Sequence, residues 1–329
     1  MPFLLTGLNT TGTLQIFSLD WRILCGKVAE RELMKKINHL LDKLFPYLMC
    51  LPAILLFTAF VIIPFFTGLW TSLHKWDGFG EMEWIGLNNY RFILADNVFW
   101  QSMKNTFVYA ISVTVVKNIL ALFLAFILVK KIPFNTIFRT GIYMPVTMSY
   151  IVIGLLWVWI YNPTFGLLNA LLTKLGLESM IVGWLSDPKY ALFSVIWVDI
   201  WKWTGYHMVL YIAGLQAIPK DLYEAAEIDG ANALQRFFYI TIPQLNSTIV
   251  VNVLMSITGG FVSNYDIVSI MTGGGPFHNT EVSLTYIMKI AFKYSNMGKA
   301  SAMSAILFLT VFIFGFLQLR MMTKDDVYE

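Results

Sequence analysis

The segment Asp221-Leu-Tyr-Glu-Ala-Ala-Glu-Ile-Asp-Gly-Ala-Asn-Ala233 is a short polar stretch between two long apolar ones, and ten residues after Gly230 the chain reads Ile240-Thr-Ile-Pro243. Asp221 has the position of a helix N-cap, and Glu224 follows it at the spacing of a capping box. Gly230 then stands where a helix that ends in a left-handed residue needs glycine. The pattern predicts two short helices joined by a tight turn.

The rest of the chain is strongly apolar. Of its 329 residues, 57% are hydrophobic and only 13% are charged, and the formal net charge is +3. A soluble domain carries about 25% charged residues, so too few remain here to cover a water-facing surface. The composition predicts a polytopic membrane protein, and the small net charge gives no reason to expect nucleic-acid binding. Cys25 and Cys50 lack a metal-binding spacing and are expected to be free thiols.

Six stretches are apolar over the length of about 20 residues that a membrane-spanning helix needs. They are roughly 46–70, 106–129, 142–161, 190–214, 247–271 and 301–322. Lys and Arg are more frequent in the connections on the N-terminal side of the membrane, which places that side in the cytoplasm. The sequence predicts an all-α integral membrane protein of six helices with both termini cytoplasmic. The longer outer connections, about 71–105, 162–189 and 272–300, could cap the bundle or dock an external protein.

The predicted organisation has four parts. They are a cytoplasmic N-terminal extension (1–43), a first transmembrane helix with its outer loop (44–104), a core of five helices that contains the polar loop 219–243 (105–322), and a cytoplasmic tail (323–329). Asp20 and Arg22 interrupt the best apolar run of residues 1–33, which is therefore neither a signal-peptide core nor a span. We expect residues 1–33 to be poorly ordered, or Met34 to be the true start.

Polar residues inside the predicted spans are costly, at about 2.5–3.5 kcal/mol for a central charge, and usually face a cavity or a partner. In the fifth span they recur at steps of three and four, which places them on one helix face. These residues are Asn252, Ser256, Gly259, Ser263 and Asp266. The stripe predicts a wall of a solute path, and a small-residue packing seam is the alternative.

The fourth span carries Asp199, Lys202 and Tyr206 at similar spacing. We expect Asp199 and Lys202 to neutralise each other in a structural role. Trp201 and Trp203 lie too deep for an interfacial belt; they could present flat apolar faces to a sugar ring or simply pack. Lys117 in the second span either snorkels or pairs across helices.

The composite of Glu224-Ala225-Ala226, Gly230, Ile240 and Pro243 resembles the EAA motif of permease subunits in bacterial ABC importers, with Ile242 where leucine is usual. The flanking segment 213–223 and the run Met271-Thr-Gly-Gly-Gly-Pro276 are similar to the carbohydrate-uptake branch of these importers. The resemblance covers about residues 44–322 and implies a type I, MetI-like permease bundle. It identifies the residues that couple to the ATPase as Glu224, Ala225, Ala226, Asp229, Gly230, Ile240 and Pro243.

The resemblance also implies the partners: a second homologous permease subunit, an ABC ATPase dimer, an extracytoplasmic solute-binding protein and the lipid of a bacterial cytoplasmic membrane. The chain has no Gly-x-x-x-x-Gly-Lys-Ser/Thr loop, so ATP would be used by the partner ATPase, and this chain is expected to hold no cofactor and to be no enzyme. The predicted path residues are Asn252, Ser256, Gly259, Ser263, Asp266, Asp199, Lys202, Trp203 and Tyr206.

The implied cargo is a mono- or oligosaccharide, with glycerol phosphate or another polar solute as the alternative. An ion-coupled secondary transporter would have interrupted helices in two repeated halves, and no such repeat is visible. A membrane enzyme or an assembly scaffold is a further alternative, but the four histidines form no His-Glu-x-x-His pattern.

Overall fold

The computed structural model describes residues 43–130 and 133–322, with side chains through residue 320. Most of these residues are helical. The helices are α1 (Lys43–Thr71), α2 (Asn88–Leu94), α3 (Asn97–Leu128), α4 (Asn135–Thr147), α5 (Tyr150–Ile160), α6 (Leu167–Lys174), α7 (Ala191–Ala217), α8 (Lys220–Ile228), α9 (Ala233–Gln244), α10 (Asn246–Val262), α11 (Asn264–Met271), α12 (Ser283–Met288) and α13 (Met297–Met322). Two short antiparallel strands, β1 (His74–Lys75) and β2 (Glu83–Trp84), lie between α1 and α2. The predictions for residues 1–33 and for the tail 323–329 lie outside the described residues.

The chain divides into two units, Met1–Thr67 and Gly68–Glu329. In the first unit, the part of α1 up to Thr67 is apolar on every side, and none of its described side chains is buried. A long helix that is hydrophobic all round is typical of a membrane span. The second unit contains the other helices and the packed core.

In the described ranges, three helices, α1, α3 and α13, are long and apolar enough to cross a membrane, and two bent pairs raise this number to five. The pairs are α4 with α5, bent by 103°, and α9 with α10, bent by 68°. The remaining predicted span corresponds to α7, whose 27 residues extend for about 40 Å. Asp199 and Lys202 lie within α7. The six predicted stretches therefore all fall on helices, although two of the stretches are not single helices.

The third predicted span is broken near its middle. Pro145 has no N–H to donate within α4, and the hydroxyl oxygen of Ser149 accepts a hydrogen bond from the N–H of Val152 at 3.3 Å. Ser149 is thus the N-cap of α5, a position that serine favours. The expectation of one continuous helix over 142–161 was wrong, because these two residues end one helix and start another.

The fifth predicted span is also divided. Helix α10 ends at Val262, and α11 begins at Asn264, after Ser263. The side-chain Nδ2 of Asn264 donates to the carbonyl of Gly260 at 2.9 Å, so a side chain replaces the backbone donor of the next turn. The stretch 247–271 therefore does not keep one helical register throughout.

Two glycines set where the central helices cross. A side chain at Gly205 of α7 would collide with the carbonyl of Ile142 in α4, and the Cβ position of Gly260 in α10 lies 2.7 Å from the Cα of Ala110 in α3. Only a residue without a side chain allows such close approach of backbones. These crossings hold α7 and α10 against α3 and α4 and leave a cavity between them.

The main core lies beside this cavity. Its fully buried side chains come from α3, α5, α7 and α11, and they include Tyr109, Val113, Ile153, Val195 and Ile267. Lipid tails are as apolar as these side chains, so van der Waals contacts between the helices hold this core together. The cavity thus has one wall made of tightly packed helices.

Candidate functional site

The polar segment folds as predicted, into two short helices and a turn, but its first cap is different. Helix α8 begins at Lys220, and Pro219 is its N-cap without a side-chain hydrogen bond. The prediction that Asp221 caps the helix was wrong, because the fixed φ of Pro219, −59°, already suits the residue that precedes a helix. Asp221 lies in the first turn instead, where a carboxylate is favoured by the helix dipole.

The turn after α8 is a Schellman motif. Gly230 has φ +79°, its N–H donates to the carbonyl of Glu227 at 3.1 Å, and the N–H of Ala231 donates to the carbonyl of Ala226 at 2.9 Å. This is the hydrogen-bond pattern of a helix closed by a left-handed residue. The predicted left-handed conformation of Gly230 is confirmed.

Helix α9 starts with a capping box that the sequence analysis missed. The side chain of Asn232 accepts from the N–H of Gln235 at 2.9 Å, and the side chain of Gln235 accepts from the N–H of Asn232 at 2.8 Å. The local signal was present, since Asn followed three residues later by Gln is a known start pattern. The cap makes α9 begin directly after the turn.

Two side-chain contacts fix the angle between α8 and α9. The carboxylate of Glu227 lies 3.2 Å from Nη1 of Arg236, and the hydroxyls of Tyr223 and Thr241 share a hydrogen bond of 2.9 Å. With these contacts made, Glu224, Ala225 and Asp229 remain exposed, as do Gly230 and Pro243, while Ala226 and Ile240 are half-buried. The exposed residues form one surface of this end of the bundle, which we call the coupling surface (residues 220–243).

The coupling surface contains a depression of about 350 Å³. It is lined by Ala226, Asp229, Gly230, Ala231, Gln235, Arg236, Tyr239 and Ile240. Four of the residues that the resemblance implied for ATPase coupling therefore share one concave patch. The patch is built from residues 226–240 alone, so its members lie close together in the sequence as well as in space.

A second cavity, of about 450 Å³, lies between α3, α5, α7 and α10. It is lined by Lys117, Tyr150, Asp199, Trp203, Tyr206, His207, Leu254, Met255, Thr258, Gly259 and Ser263. Five predicted path residues line it: Asp199, Trp203, Tyr206, Gly259 and Ser263. Tyr150 and His207 were missed, and Lys117 was left open between two roles.

The other predicted path residues lie elsewhere. Asn252 and Ser256 are buried behind the cavity, and Asp266 is exposed on α11, beyond the break at Ser263. Asp266 therefore does not continue the stripe of α10. Of the two tryptophans, Trp203 faces the cavity, whereas Trp201 packs against the ring of Trp157 at 5.5 Å.

The expected partners Asp199 and Lys202 are close enough to interact electrostatically, but no direct ion pair joins the two side chains among the described residues. The ammonium of Lys202 donates to the carbonyls of Pro145, Val146 and Met148 at 3.2, 3.2 and 2.6 Å. These carbonyls lie at the bend between α4 and α5, where the helix no longer supplies N–H partners. Lys202 therefore satisfies the broken helix, and Asp199 faces the cavity.

The rings at this bend are also held in place. The indole Nε1 of Trp203 donates to the hydroxyl of Tyr150 at 2.7 Å, and this hydroxyl lies 3.4 Å from Oδ1 of Asp199. Tyr206 is oriented edge-on to Trp203, with 5.9 Å between the ring centroids. The broken span thus brings Tyr150 from α5 next to the polar residues of α7.

A chain of hydrogen bonds supports the cavity from behind. Tyr211 donates to Oδ1 of Asn118 at 2.8 Å, and Nδ2 of Asn118 donates to Ser256 at 2.9 Å. His207 then joins Ser256 through Nε2 at 3.3 Å and Asn252 through Nδ1 at 2.7 Å. The network connects α3, α7 and α10, so Asn252 and Ser256 act on the cavity through His207.

At the opposite end of the bundle, the loop 272–282 is tied to α3 and α12. Nδ2 of Asn105 lies within 3.2 Å of the carbonyls of His278, Asn279 and Glu281. The buried carboxylate of Glu281 accepts from Lys289 at 2.5 Å. Phe277 stands at the tip with 87% of its surface exposed.

Comparison with known proteins identifies the class. Residues 117–323 match the family described as binding-protein-dependent transport system inner membrane component. The chain is 40% identical over 282 residues to the probable ABC transporter permease YurN of Bacillus subtilis, covering 85% of this chain and 96% of that protein. It is 36% identical over 282 residues to the trehalose/maltose transport system permease MalF of Thermococcus litoralis, covering 85% and 93%.

A solved structure has the same fold. It is that of a bacterial alginate ABC transporter in complex with a periplasmic protein bound to an alginate pentasaccharide, and its matching chain superimposes with a TM-score of 0.77. The identity is 21%, and the match covers 88% of this chain and 97% of that one. The family match and the two permease relatives extend over most of this sequence. The chain therefore belongs to the inner membrane component family of binding-protein-dependent transport systems and is a transporter permease subunit, not an enzyme.

Proposed function

We propose that this chain is the permease subunit of an ATP-driven carbohydrate importer and a multi-pass protein of the bacterial inner membrane. The cargo class is supported by the trehalose/maltose permease among its relatives. It is also supported by the cavity, where aromatic faces and a few polar groups stand together. Small-molecule sites commonly combine a mostly apolar lining with few well-placed polar groups.

The observation that carries the proposal is the exposed coupling surface. Its first helix ends in a Schellman turn at Gly230, and Glu224, Ala225 and Asp229 are free of the bundle. A short amphipathic helix is well suited to a groove on another protein. Since the chain has no phosphate-binding loop, the energy has to enter through a partner, and we infer that an ABC ATPase dimer binds here.

The second contact with a partner is proposed for the opposite end. The loop 272–282 is fixed by Asn105 and Lys289 and carries an exposed Phe277. A fixed aromatic residue is a suitable anchor for a protein interface, because little side-chain entropy is lost on binding. The partner would be an extracytoplasmic solute-binding protein, as in the alginate complex. A second, homologous permease would complete the path.

The proposed transport step is alternating access. Closure of the ATPases would move the coupling surface, and α7 and α10, which flank it in the chain, would change their tilt about the cavity. The solute would meet Asp199, Trp203 and Tyr206 on its way, together with Gly259 and Ser263 on α10. Rigid helices with discrete crossings are the elements that convert a small displacement at one site into opening at another.

The test is reconstitution of the chain with its three partner components in liposomes. ATP-dependent uptake of a neutral sugar, lost when the ATPase is omitted, is the expected result. Uptake in ATP-depleted vesicles with an imposed ion gradient would contradict the proposal and favour a secondary transporter. Turnover of lipid by the purified chain alone would instead favour a membrane enzyme.

A further inference from the structure

We propose that the cavity selects uncharged, polyhydroxylated solutes and rejects anionic ones, because its two available charges compensate each other. This inference rests on the proposed function and deepens it. Among the lining residues, the formal charges belong to Lys117 on α3 and Asp199 on α7. Both are nearly buried, at 3% and 4% exposure, and they line the same cavity with opposite formal charges.

Among the described residues, the other cation near this cavity has no hydrogen bond left for a solute. Lys202 lies close by, but its ammonium has three donors, and three backbone carbonyls accept from it. The rings of Tyr150 and Trp203 lie 5.0 and 5.2 Å from the same nitrogen. Lys202 is therefore committed to the bend between α4 and α5.

His207 adds no charge either. Its Nδ1 faces Oδ1 of Asn252, which can only accept, so this nitrogen carries the proton. Its Nε2 then accepts from the hydroxyl of Ser256, whose oxygen in turn accepts from Asn118. One neutral tautomer satisfies every member of the network, and a doubly protonated ring would not.

The remaining groups suit a sugar. The carboxylate of Asp199 has a long hydrogen bond, 3.4 Å, from Tyr150, and an ionised carboxylate has about four lone-pair sites. Solute hydroxyls can therefore donate to Asp199 and accept from Lys117. Trp203 and Tyr206 contribute apolar ring faces beside this pair, as needed for the apolar side of a sugar ring.

The same groups disfavour an anionic solute. A phosphate or carboxylate that approached Lys117 would enter a cavity that Asp199 also lines, and Asp199 would repel the solute. Asp266, exposed on α11 and close enough to Tyr150 to interact electrostatically, adds a further negative charge. Unit charges a few ångströms apart in a protein environment interact strongly enough to change affinity by well over tenfold.

The experiment measures binding to the assembled importer in nanodiscs by Trp fluorescence. The probes are matched pairs, trehalose with trehalose 6-phosphate and maltose with maltose 6-phosphate. The wild type should prefer the neutral member of at least one pair by about tenfold or more. Asp199→Asn should reduce this preference at least about tenfold by leaving Lys117 uncompensated, and Lys117→Gln should increase it.

Asp77→Asn and Lys174→Gln are the matched controls, since both residues are exposed and neither lines the cavity. They should leave the preference unchanged. Equal wild-type affinity for both members of each pair would overturn the inference, as would two cavity variants that shift the preference in the same direction. If the wild type takes up a neutral sugar with ATP and both cavity variants keep the wild-type preference, only the role of the cavity is refuted. If the wild type takes up no sugar, the proposed function itself is refuted.

Discussion

Replacing Gly230 by valine isolates the backbone conformation of the coupling surface. The φ of Gly230 is +79°, and a Cβ built there meets no atom within 4 Å. A Cβ therefore causes no steric clash within the chain, and the left-handed backbone is what an added side chain strains there. An L-residue in this region costs about 1–2 kcal/mol, and each 1.4 kcal/mol changes an equilibrium about tenfold. Asparagine tolerates the conformation, and β-branched valine resists it most.

We therefore expect a graded loss of coupling in the order Gly230→Asn, Gly230→Ala and Gly230→Val. The assay is the ratio of sugar taken up to ATP hydrolysed in proteoliposomes that contain the complete importer. Gly230→Val should lower this ratio about tenfold or more, while membrane insertion stays normal because the turn is exposed.

Gly141→Ala provides the matched control. It also adds a Cβ that meets nothing within 4 Å, but at a glycine of ordinary helical φ, so the ratio should not fall. A Gly230→Val importer with the wild-type ratio would refute the argument. So would a Gly230→Asn importer that is as defective as Gly230→Val, because strain in the left-handed region would then not be the cause.

Three further perturbations follow from the geometry. Lys202→Met should lower the thermal stability measured by intrinsic fluorescence, because three carbonyls at the α4–α5 bend lose their donor and an unpaired buried group costs about 1–3 kcal/mol. Lys202→Arg should recover most of the loss. Equal melting temperatures of Lys202→Met and the wild type would contradict this role. Burial raises the pKa of Asp96, but hydrogen bonds from Lys299, Tyr286 and the N–H of Phe99 lower it more, so its pKa lies below the ordinary 3.8. The ionised carboxylate therefore stabilises the fold above about pH 4, and this stabilisation is lost as the pH falls through the folded-state pKa. In the Asp96→Asn variant, the melting temperature should change less between pH 6 and pH 3 than in the wild type. Glu227→Gln should reduce the ratio of sugar taken up to ATP hydrolysed by less than about fivefold, since the ion pair of Glu227 with Arg236 is partly exposed and such pairs contribute about 1 kcal/mol or less. Exchanging the two charged residues should restore the ratio.

The parts of the structure that depend on local sequence could be predicted. The six apolar stretches fall on helices, and Gly230 adopts the left-handed conformation that its position after α8 indicated. Asn232 with Gln235 belongs to the same class, because the capping box needs only four consecutive residues. This capping box is thus predictable from the sequence alone.

The partners of the buried charges could not be predicted in this way. Lys202 lies only three residues from Asp199, and on one helix this spacing favours a pair. The bend at Met148 changes the outcome, because it presents unpaired carbonyls to Lys202 from more than fifty residues away in the chain. The role of Tyr150 depends on the same bend. Sequence periodicity carries no information on where a distant helix breaks.

The stripe of the fifth span failed for a related reason. Its spacing assumed one helix from 247 to 271, and the side chain of Asn264 ends that register at Gly260. Residues before the break, such as Gly259, line the cavity as expected, and Asp266 after it does not. Asn252 and Ser256 also precede the break but lie behind the cavity, so the stripe predicts only part of this wall.

The tight crossing at Gly205 has a mechanical consequence. Twelve residues of α7, about 18 Å, separate Gly205 from Ala217 at the coupling end, and six residues, about 9 Å, separate it from Asp199. Because the carbonyl of Ile142 leaves no clearance at Gly205, α7 cannot move closer to α4 there, and a change in its tilt turns about this contact. The crossing is then the fulcrum of a lever with arms of about two to one. A sideways displacement of Ala217 reaches Asp199 at about half the amplitude and in the opposite direction, so the carboxylate moves across the bundle, away from the direction in which the coupling end moves.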